Sequence, residues 1–405
     1  MINKQKAILI ISTDATRTGT PVLLLNMLQW LKINSKHKYV LLLQEGGELL
    51  EDFKSVCDVF IWKDAFKMRK SLKKSFKYFR FRFFKKFLSF DKDLNISFKQ
   101  EEANVKLFID ELFSSYNFQL VISNTARNGH ILNCFREDQK SKLLLYVHEG
   151  ERTLDLFNQQ GFVTYNLNIS KRIIAVSESI KKMLQVKYNI KGNIDVVNGG
   201  IDVSYTFYEN SRYLLNNFGI PDDAIIIMSS GWLDWLKGID IFIQIASILA
   251  KQNHKLHFIW LGGSKDDQGY RDMQLDIRKL QLENRVSIIP SIANPLDYFN
   301  LSDIFLMLSR EESLSLVTIE AGLAKKPVLC FDKTGGPNEI VDFDSRFIVQ
   351  YADINAMCER IMDLVNNESE RKKMGEYMYD IVINNYTIEK NAAHFLSLIN
   401  QELSD

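Results

Sequence analysis

Two glutamates, Glu312 and Glu320, are separated by seven residues in the stretch SREESLSLVTIEAGLAKKPVLCFDKTGGPNEIV, Ser309 to Val341. An apolar run, Ile304 to Leu308, leads into them and reads as a buried strand. A Ser-rich turn follows Glu312, and the apolar segment carrying Glu320 reads as a helix. Lys326-Pro327 then precedes a second apolar strand, Val328 to Phe331, and a Gly335-Gly336-Pro337 turn with Glu339 behind it. A helix start offers unpaired N–H groups and the positive end of the helix dipole, so the backbone near Ser315, Leu316 and Val317 suits a phosphate. Glu312 lies just before that start and Glu320 about one and a half turns inside it, so their carboxylates can reach opposite ends of one bound molecule. Carboxylates accept hydrogen bonds from hydroxyls; a sugar at one end and a ribose at the other fit a nucleotide-linked sugar. By spacing alone, solvated or capping glutamates produce the same pattern.

Other polar residues stand where strands end. Ser230 to Gly238 is a glycine-bounded loop, beginning at Gly231, before a helical pattern from Ile239 to Lys251. Its Lys237 is either a point charge for a diphosphate or an ordinary helix-start lysine. His148 follows the apolar run Leu143 to Val147, where a histidine either hydrogen-bonds a sugar hydroxyl and orients an acceptor or is a satisfied structural residue. Asp-x-Asp pairs occur at Asp91/Asp93 and Asp342/Asp344, but short charged loops often produce them, and no metal is expected.

These residues need a scaffold of alternating strands and helices, and the chain supplies one. Ala7 to Ile11 is a continuous apolar run, as in a parallel strand covered on both faces. A polar loop, Thr13 to Thr20, contains Gly19 and precedes a helical pattern from Pro21 to Ile33. Further buried runs appear at Tyr39 to Leu43, Val56 to Trp62, Leu120 to Ser123, Leu143 to Val147, Arg172 to Val176, Ala224 to Ser229, Leu256 to Leu261 and Val286 to Pro290. From Ile354 the chain reads as helices. This alternation implies α/β doubly wound parallel sheets whose binding crevices lie outside the carboxyl ends of the strands.

At 405 residues the chain exceeds one ordinary core and implies two domains of ~200 residues. A net charge of +1 gives no global field toward nucleic acid. The four cysteines, Cys57, Cys134, Cys330 and Cys358, are scattered without zinc spacing and read as reduced, as in a cytoplasmic protein. The apolar run after Lys4 and Lys6 is too short for a signal-peptide core, and no run approaches a membrane span. No G-x-G-x-x-G follows a strand, which disfavours a nicotinamide dehydrogenase.

Residues 66–88 stand apart. Between Lys67 and Lys86 there are ten Lys or Arg and no acid, while Met68, Leu72, Phe76, Phe79, Phe83 and Phe87 recur at three- or four-residue steps. On a helix this gives an aromatic stripe flanked by cations, including Lys73, Lys74, Lys85 and Lys86, which suits an anionic membrane surface. Packing on the domain core with solvated cations is the alternative. Each nearby cation contributes about 1 kcal/mol on anionic headgroups, ample for reversible attachment.

Taken in order, the Gly19 loop, the His148 strand end, Val197-Asn198-Gly199-Gly200-Ile201-Asp202, Gly231 to Gly238 and the Glu312 to Glu320 stretch resemble family 4 glycosyltransferases. These are retaining enzymes of the two-domain GT-B fold. Glu312 and Glu320 match that family's E-x7-E motif, followed here by its Lys-Pro-Val strand and Gly-Gly-x-x-Glu-Ile-Val continuation. The resemblance implies two Rossmann-like domains facing a central cleft: an acceptor domain, 1–203, and a donor domain, 204–385, with the helix 386–405 packing back on the first. It implies that Glu312 holds donor-sugar hydroxyls, Glu320 the ribose and Lys237 the diphosphate. Leu316 and Val317 amides would cover the phosphates, His148 would lie beside the reacting sugar, and Gly19 would leave room for phosphate or acceptor.

Two departures stand out. Trp232 occupies the place of an expected arginine, with Arg310 as a candidate replacement, and Ser313-Leu314-Ser315 replaces Gly-Phe-Gly. The function implied is transfer of a sugar from a nucleotide-sugar to a saccharide or lipid-linked acceptor in cell-surface polysaccharide or glycolipid assembly, on the cytoplasmic face of a membrane. A non-catalytic GT-B scaffold or regulatory partner of another transferase is the alternative.

Overall fold

The computed structural model describes residues 4–63, 90–204, 211–292 and 294–404. Two compact units make up the chain: Met1–Val176 with Lys181–Val197 and Ala392–Asp405, and Ser177–Ile180 with Asn198–Asn391. The division falls after Val197 rather than at residue 203. Ile201 is already tied into the second unit, its N–H donating to the Tyr386 carbonyl and its carbonyl accepting from Ile388 N–H, both at 2.9 Å. Gly200 permits this approach, since a Cβ there would lie 2.6 Å from the Thr387 oxygen. The expected membrane helix over 66–88, with Lys73, Lys74, Phe76, Phe79, Phe83, Lys85 and Lys86, lies outside the described residues. Among the described residues no helix is long and apolar enough to cross a membrane.

The first unit contains β1 (Gln5–Ser12), β2 (Tyr39–Leu43), β3 (Asp58–Ile61), β4 (Tyr116–Ser123), β5 (Leu143–Val147), β6 (Arg172–Ala175) and β7 (Ile194–Val196). All pair in parallel in the order β3-β2-β1-β4-β5-β6-β7. β2 and β5 are buried throughout, as strands covered on both faces must be. On one face Ala7, Leu9 and Ile11 alternate inward toward Val105, Ile109 and Leu112, which share one stripe of the helix Phe90–Ser115. The helix after β1 runs Gly19–Asn34, beginning two residues before Pro21, so proline sits in the first turn where its missing N–H costs nothing.

The helix Ile388–Ser404 contributes its residues from Ala392 onward to this unit. Phe395 is 2% exposed and lies 5.5 Å from the Tyr146 ring, and Arg172 reaches Glu402 at 3.4 Å.

The second unit repeats the plan with β8 (Ile225–Ser230), β9 (Leu256–Leu261), β10 (Val286–Ile289), β11 (Ile304–Met307), β12 (Val328–Phe331) and β13 (Ile348–Val349), ordered β10-β9-β8-β11-β12-β13 and parallel. β13 has two residues, too few for any hydrophobic period to announce it. In each sheet the strand order reverses once, between β1 and β4 and between β8 and β11. Such a reversal opens a crevice at the carboxyl ends, because the flanking connections leave to opposite faces.

Phe395→Ala should destabilise the first unit by about 3–5 kcal/mol, the range for emptying a buried aromatic site. Urea unfolding followed by circular dichroism measures this; a loss under about 1 kcal/mol would remove the terminal helix from that core.

Candidate active site

In the second unit, the loops after β8 and β11 flank the reversal, and both carry the charged residues of interest. The β8 loop starts at Gly231, whose φ of +151° favours glycine and whose absent side chain leaves room for Lys237: a Cβ would lie 3.1 Å from Lys237 Cγ. Buried Trp260 donates its indole N–H to the Gly231 carbonyl at 3.0 Å, and the Asp234 carboxylate accepts the Lys237 N–H at 2.9 Å. Gly238, at φ +78°, ends the loop against the Leu308 carbonyl, where a Cβ would come within 2.3 Å. The loop thus returns Lys237 to the end of β11.

There Lys237 meets Glu312. Its ammonium lies 2.5 Å from Glu312 Oε1, and the fully buried Ser309 hydroxyl donates to the same oxygen at 2.7 Å. Backbone fixes the carboxylate from behind: Glu312 N–H donates to the Thr334 carbonyl at 2.8 Å and its carbonyl accepts from Gly336 N–H at 2.9 Å. This one-residue parallel bridge between Glu312 and Gly335 explains the glycine pair. Gly335 has φ +91°, and a Cβ would fall 2.3 Å from the Glu312 carbonyl oxygen; at Gly336 it would fall 2.5 Å from Leu314 Cα. The Gly-rich turn therefore supports the glutamate loop.

The helix following this loop spans Leu316–Leu323, so Leu316 and Val317 supply its first amides. Ser315 caps it at φ +81°, a conformation ordinarily left to glycine and costing a side-chain-bearing residue about 1 kcal/mol or more. Its buried hydroxyl pairs with Thr318 Oγ1 at 2.9 Å and lies 3.1 Å from Met307 sulfur, which offsets part of that strain. The Glu320 carboxyl has no hydrogen-bond partner among the described residues, and burial pushes it up to about 8.

Arg310, the candidate second cation for a diphosphate, already has partners within the fold. Its guanidinium makes a two-pronged contact with Asp240 at 3.0 and 2.8 Å, lies 4.3 Å from the Trp235 ring centre and donates to the Trp235 carbonyl. Arg310 pins the β8 loop. Trp232 projects from that loop, half exposed.

In the first unit, Gly19 is the exposed first residue of its helix. His148 follows β5 and is 6% exposed, packed at 4.0 Å against the Tyr146 ring, and burial lowers its pKa to about 3, so it is a neutral imidazole. Its Nε2 is 3.2 Å from Asn124 Oδ1. The next residue, Glu149, ties the two strand ends together: its carboxylate accepts from Thr125 hydroxyl, from Ala126 N–H at 3.2 Å and from His148 N–H at 3.2 Å. Burial raises Glu149 to about 7, against the lowering influence of these bonds and of Arg127.

Sequence reasoning missed Asn124, Thr125, Glu149 and Ser309. Each directly follows, or lies within two residues of, an apolar run already legible as a strand. Polar residues at the carboxyl ends of such runs were the available signal.

Residues 213–380 match the family described as glycosyl transferases group 1. The chain is 25% identical over 266 residues, covering 63% of it and 70% of the relative, to the capsular polysaccharide biosynthesis glycosyltransferase CapM of Staphylococcus aureus. It is 23% identical over 300 residues, covering 70% and 80%, to the amylovoran biosynthesis glycosyltransferase AmsD of Erwinia amylovora. The crystal structure of Anabaena HepE in complex with UDP superposes with a TM-score of 0.76 at 16% identity, covering 98% of this chain and all of that one. With this domain and these two sheets, the chain is a glycosyltransferase of GT-B fold.

The raised Glu320 value gives a signed expectation. Its folded-state value of about 8 lies above the ordinary 4.5, so the folded form retains the proton between them and its stability falls as pH rises through that window. Glu320→Gln, always neutral, should gain Tm on wild type by about 5–10 °C between pH 6 and pH 9. Parallel Tm curves for the two proteins would remove the buried acid.

Proposed function

We propose that this chain is a retaining, family-4-type transferase that moves a sugar from a nucleoside diphosphate donor to a saccharide acceptor in the assembly of a cell-surface polysaccharide. The Lys237–Glu312 pair at the β8/β11 reversal carries this reading. An ammonium has three donors and Glu312 engages one, so the others remain to meet a diphosphate oxygen. Glu312 has a second carboxylate oxygen for sugar hydroxyls, and Glu320 offers both of its oxygens to a ribose. Amides of Leu316 and Val317 at the helix start add the partial positive charge that a departing diphosphate needs.

In the proposed step the bond from the anomeric carbon to the diphosphate oxygen breaks while the acceptor oxygen bonds that carbon from the same face. A leaving phosphate oxygen takes the acceptor proton, so no separate carboxylate base is required. Rate then comes from placing the reactants and from stabilising charge on the leaving group. His148, neutral at working pH, contacts a sugar hydroxyl rather than carrying a proton through the step. Metal is not part of the scheme: Lys237 and the helix start carry the charge role. CapM and AmsD are named for polysaccharide biosynthesis, and HepE holds UDP, which makes UDP-sugars the first donors to try.

Screening UDP, GDP, ADP, CMP and dTDP with their sugars by thermal shift identifies the donor base. With that donor, Glu312→Gln and Lys237→Ala should each lower kcat by roughly 100- to 1,000-fold, the loss typical of removing one group that stabilises developing charge. Wild-type turnover should survive EDTA. Full activity in either variant, or its abolition by the chelator, would overturn the assigned roles.

The composition of residues 66–88 supports an acceptor presented at a membrane, such as a lipid-linked saccharide. Anionic vesicles should carry the protein upward in a flotation gradient, and neutralising Lys73, Lys74, Lys85 and Lys86 should release it. Failure to float, or unchanged flotation of the neutralised variant, would detach the acceptor from the membrane.

A further inference from the structure

The β1/β4 reversal of the first unit gathers polar side chains that are buried yet incompletely bonded. Ser12, the last residue of β1, is 1% exposed, and Asn124, the first residue after β4, is 2% exposed. Asn124 is held in place from its backbone, its N–H donating to the Ile11 carbonyl at 2.8 Å. One side of its amide meets His148 Nε2 at 3.2 Å. Beyond that contact, Asn124 Nδ2, His148 Nδ1, Ser12 Oγ and Arg127 Nε are buried and have no partner among the described residues. Buried polar atoms in folded proteins are nearly always bonded, and a cluster of exceptions in a strand-end crevice marks a place where a ligand completes them.

The bonding arithmetic of the pair is independent of how its amide is turned. A neutral imidazole carries one N–H. If Nε2–H donates to Asn124 Oδ1, then His148 Nδ1 is left to accept and Asn124 Nδ2 to donate. If the amide is reversed, the roles exchange and one donor and one acceptor still remain. A hydroxyl both donates and accepts, so a sugar hydroxyl, or two neighbouring ones, satisfies the pair without any charge. A phosphate or carboxylate accepts only and would leave the acceptor of the pair unmet.

We propose that Asn124 is a sugar-recognition residue of the first unit, contacting a saccharide hydroxyl with its free amide edge and fixing the tautomer with which His148 contacts the same saccharide. The assignment rests on the glycosyltransferase reading above and adds to it a residue and a division of bonding roles. Glu149 supports the arrangement, because its carboxylate binds the backbone following Asn124 and the backbone of His148 together. The hydroxyl belongs either to the donor sugar or to the acceptor sugar, and the same crevice chemistry serves both.

The test uses the full chain and the nucleotide-sugar that wild type turns over best. Asn124→Ala should lower kcat/KM about 10- to 100-fold while Tm and the affinity for the free nucleoside diphosphate stay near wild type. A raised KM for the nucleotide-sugar places the hydroxyl on the donor, and a raised KM for the acceptor places it there. Asn124→Ala and His148→Ala combined should lose no more than His148→Ala alone, as residues acting on one group do.

A variant-free measurement runs alongside. Long-range proton–nitrogen spectra of wild type, with His148 assigned through His148→Gln, should show one protonated ring nitrogen, and the signal of the other should move when the nucleotide-sugar is added but not with the nucleoside diphosphate alone if the donor supplies the hydroxyl, or on adding the acceptor if it does. Averaged tautomers, an unmoved signal in both additions, additive losses in the double variant, or wild-type kinetics in Asn124→Ala would overturn the proposal. A wild type that turns over no nucleotide-sugar overturns instead the reading on which it rests.

Discussion

The second unit's site depends on one ion pair, Lys237 to Glu312, and on what that pair requires of its surroundings. Both side chains are largely removed from water. A lone ammonium or carboxylate in that setting carries a desolvation penalty of several kcal/mol, which an opposite charge at 2.5 Å and a hydroxyl donor offset. The contact is possible only if the β8 loop brings Lys237 back and the β11 loop holds Glu312 still. Hence the glycines at 238, 335 and 336, where backbone passes too close for a Cβ, and at 231, where a φ of +151° favours glycine. They are packing requirements set by the pair, and phosphate contact is not needed to explain them.

The two units use one topology for different chemistry. At its reversal the second unit sets out charge, an ammonium, the Glu312 carboxylate and a helix start, with the Glu320 carboxyl beside them kept protonated by burial up to about 8. The first sets out an imidazole held uncharged by burial, an amide and a hydroxyl, with the Arg127 guanidinium as the charged member of the cluster. Charge suits a diphosphate whose negative charge grows as it leaves. Neutral groups suit hydroxyls, which need both a donor and an acceptor and gain little from a net field.

Two departures from the sequence pattern that the chain resembles take on physical meaning in the fold. Ser315 adopts the backbone conformation expected of a glycine and spends its hydroxyl on Thr318, so the turn keeps its form while carrying strain. Arg310 braces the β8 loop through Asp240 and Trp235, and Trp232 presents a half-exposed ring where a cation was expected. Lys237 is then the cation that the two loops bring to Glu312, and the loop's other aromatic surface is left facing solvent.

Much of this architecture is legible in the sequence. Continuous apolar runs announced nearly every parallel strand, because a strand buried on both faces must be apolar at every position, and Pro21 and the Gly335-Gly336 pair punctuated elements through backbone rules that act locally. The order of motifs likewise named Glu312, Glu320, Lys237 and His148. What chain order does not contain is which loops meet. The 75 positions between Lys237 and Glu312 close only through the β8–β11 pairing, and the 24 between Asn124 and His148 through β4 and β5. The diversion of Arg310 to Asp240, the service of the glycines to packing, and the half-bonded Asn124–His148 pair were therefore decided by tertiary structure alone. Hydrogen bonds and ion pairs depend on distance in space, and residue type and spacing state only what each group is able to do.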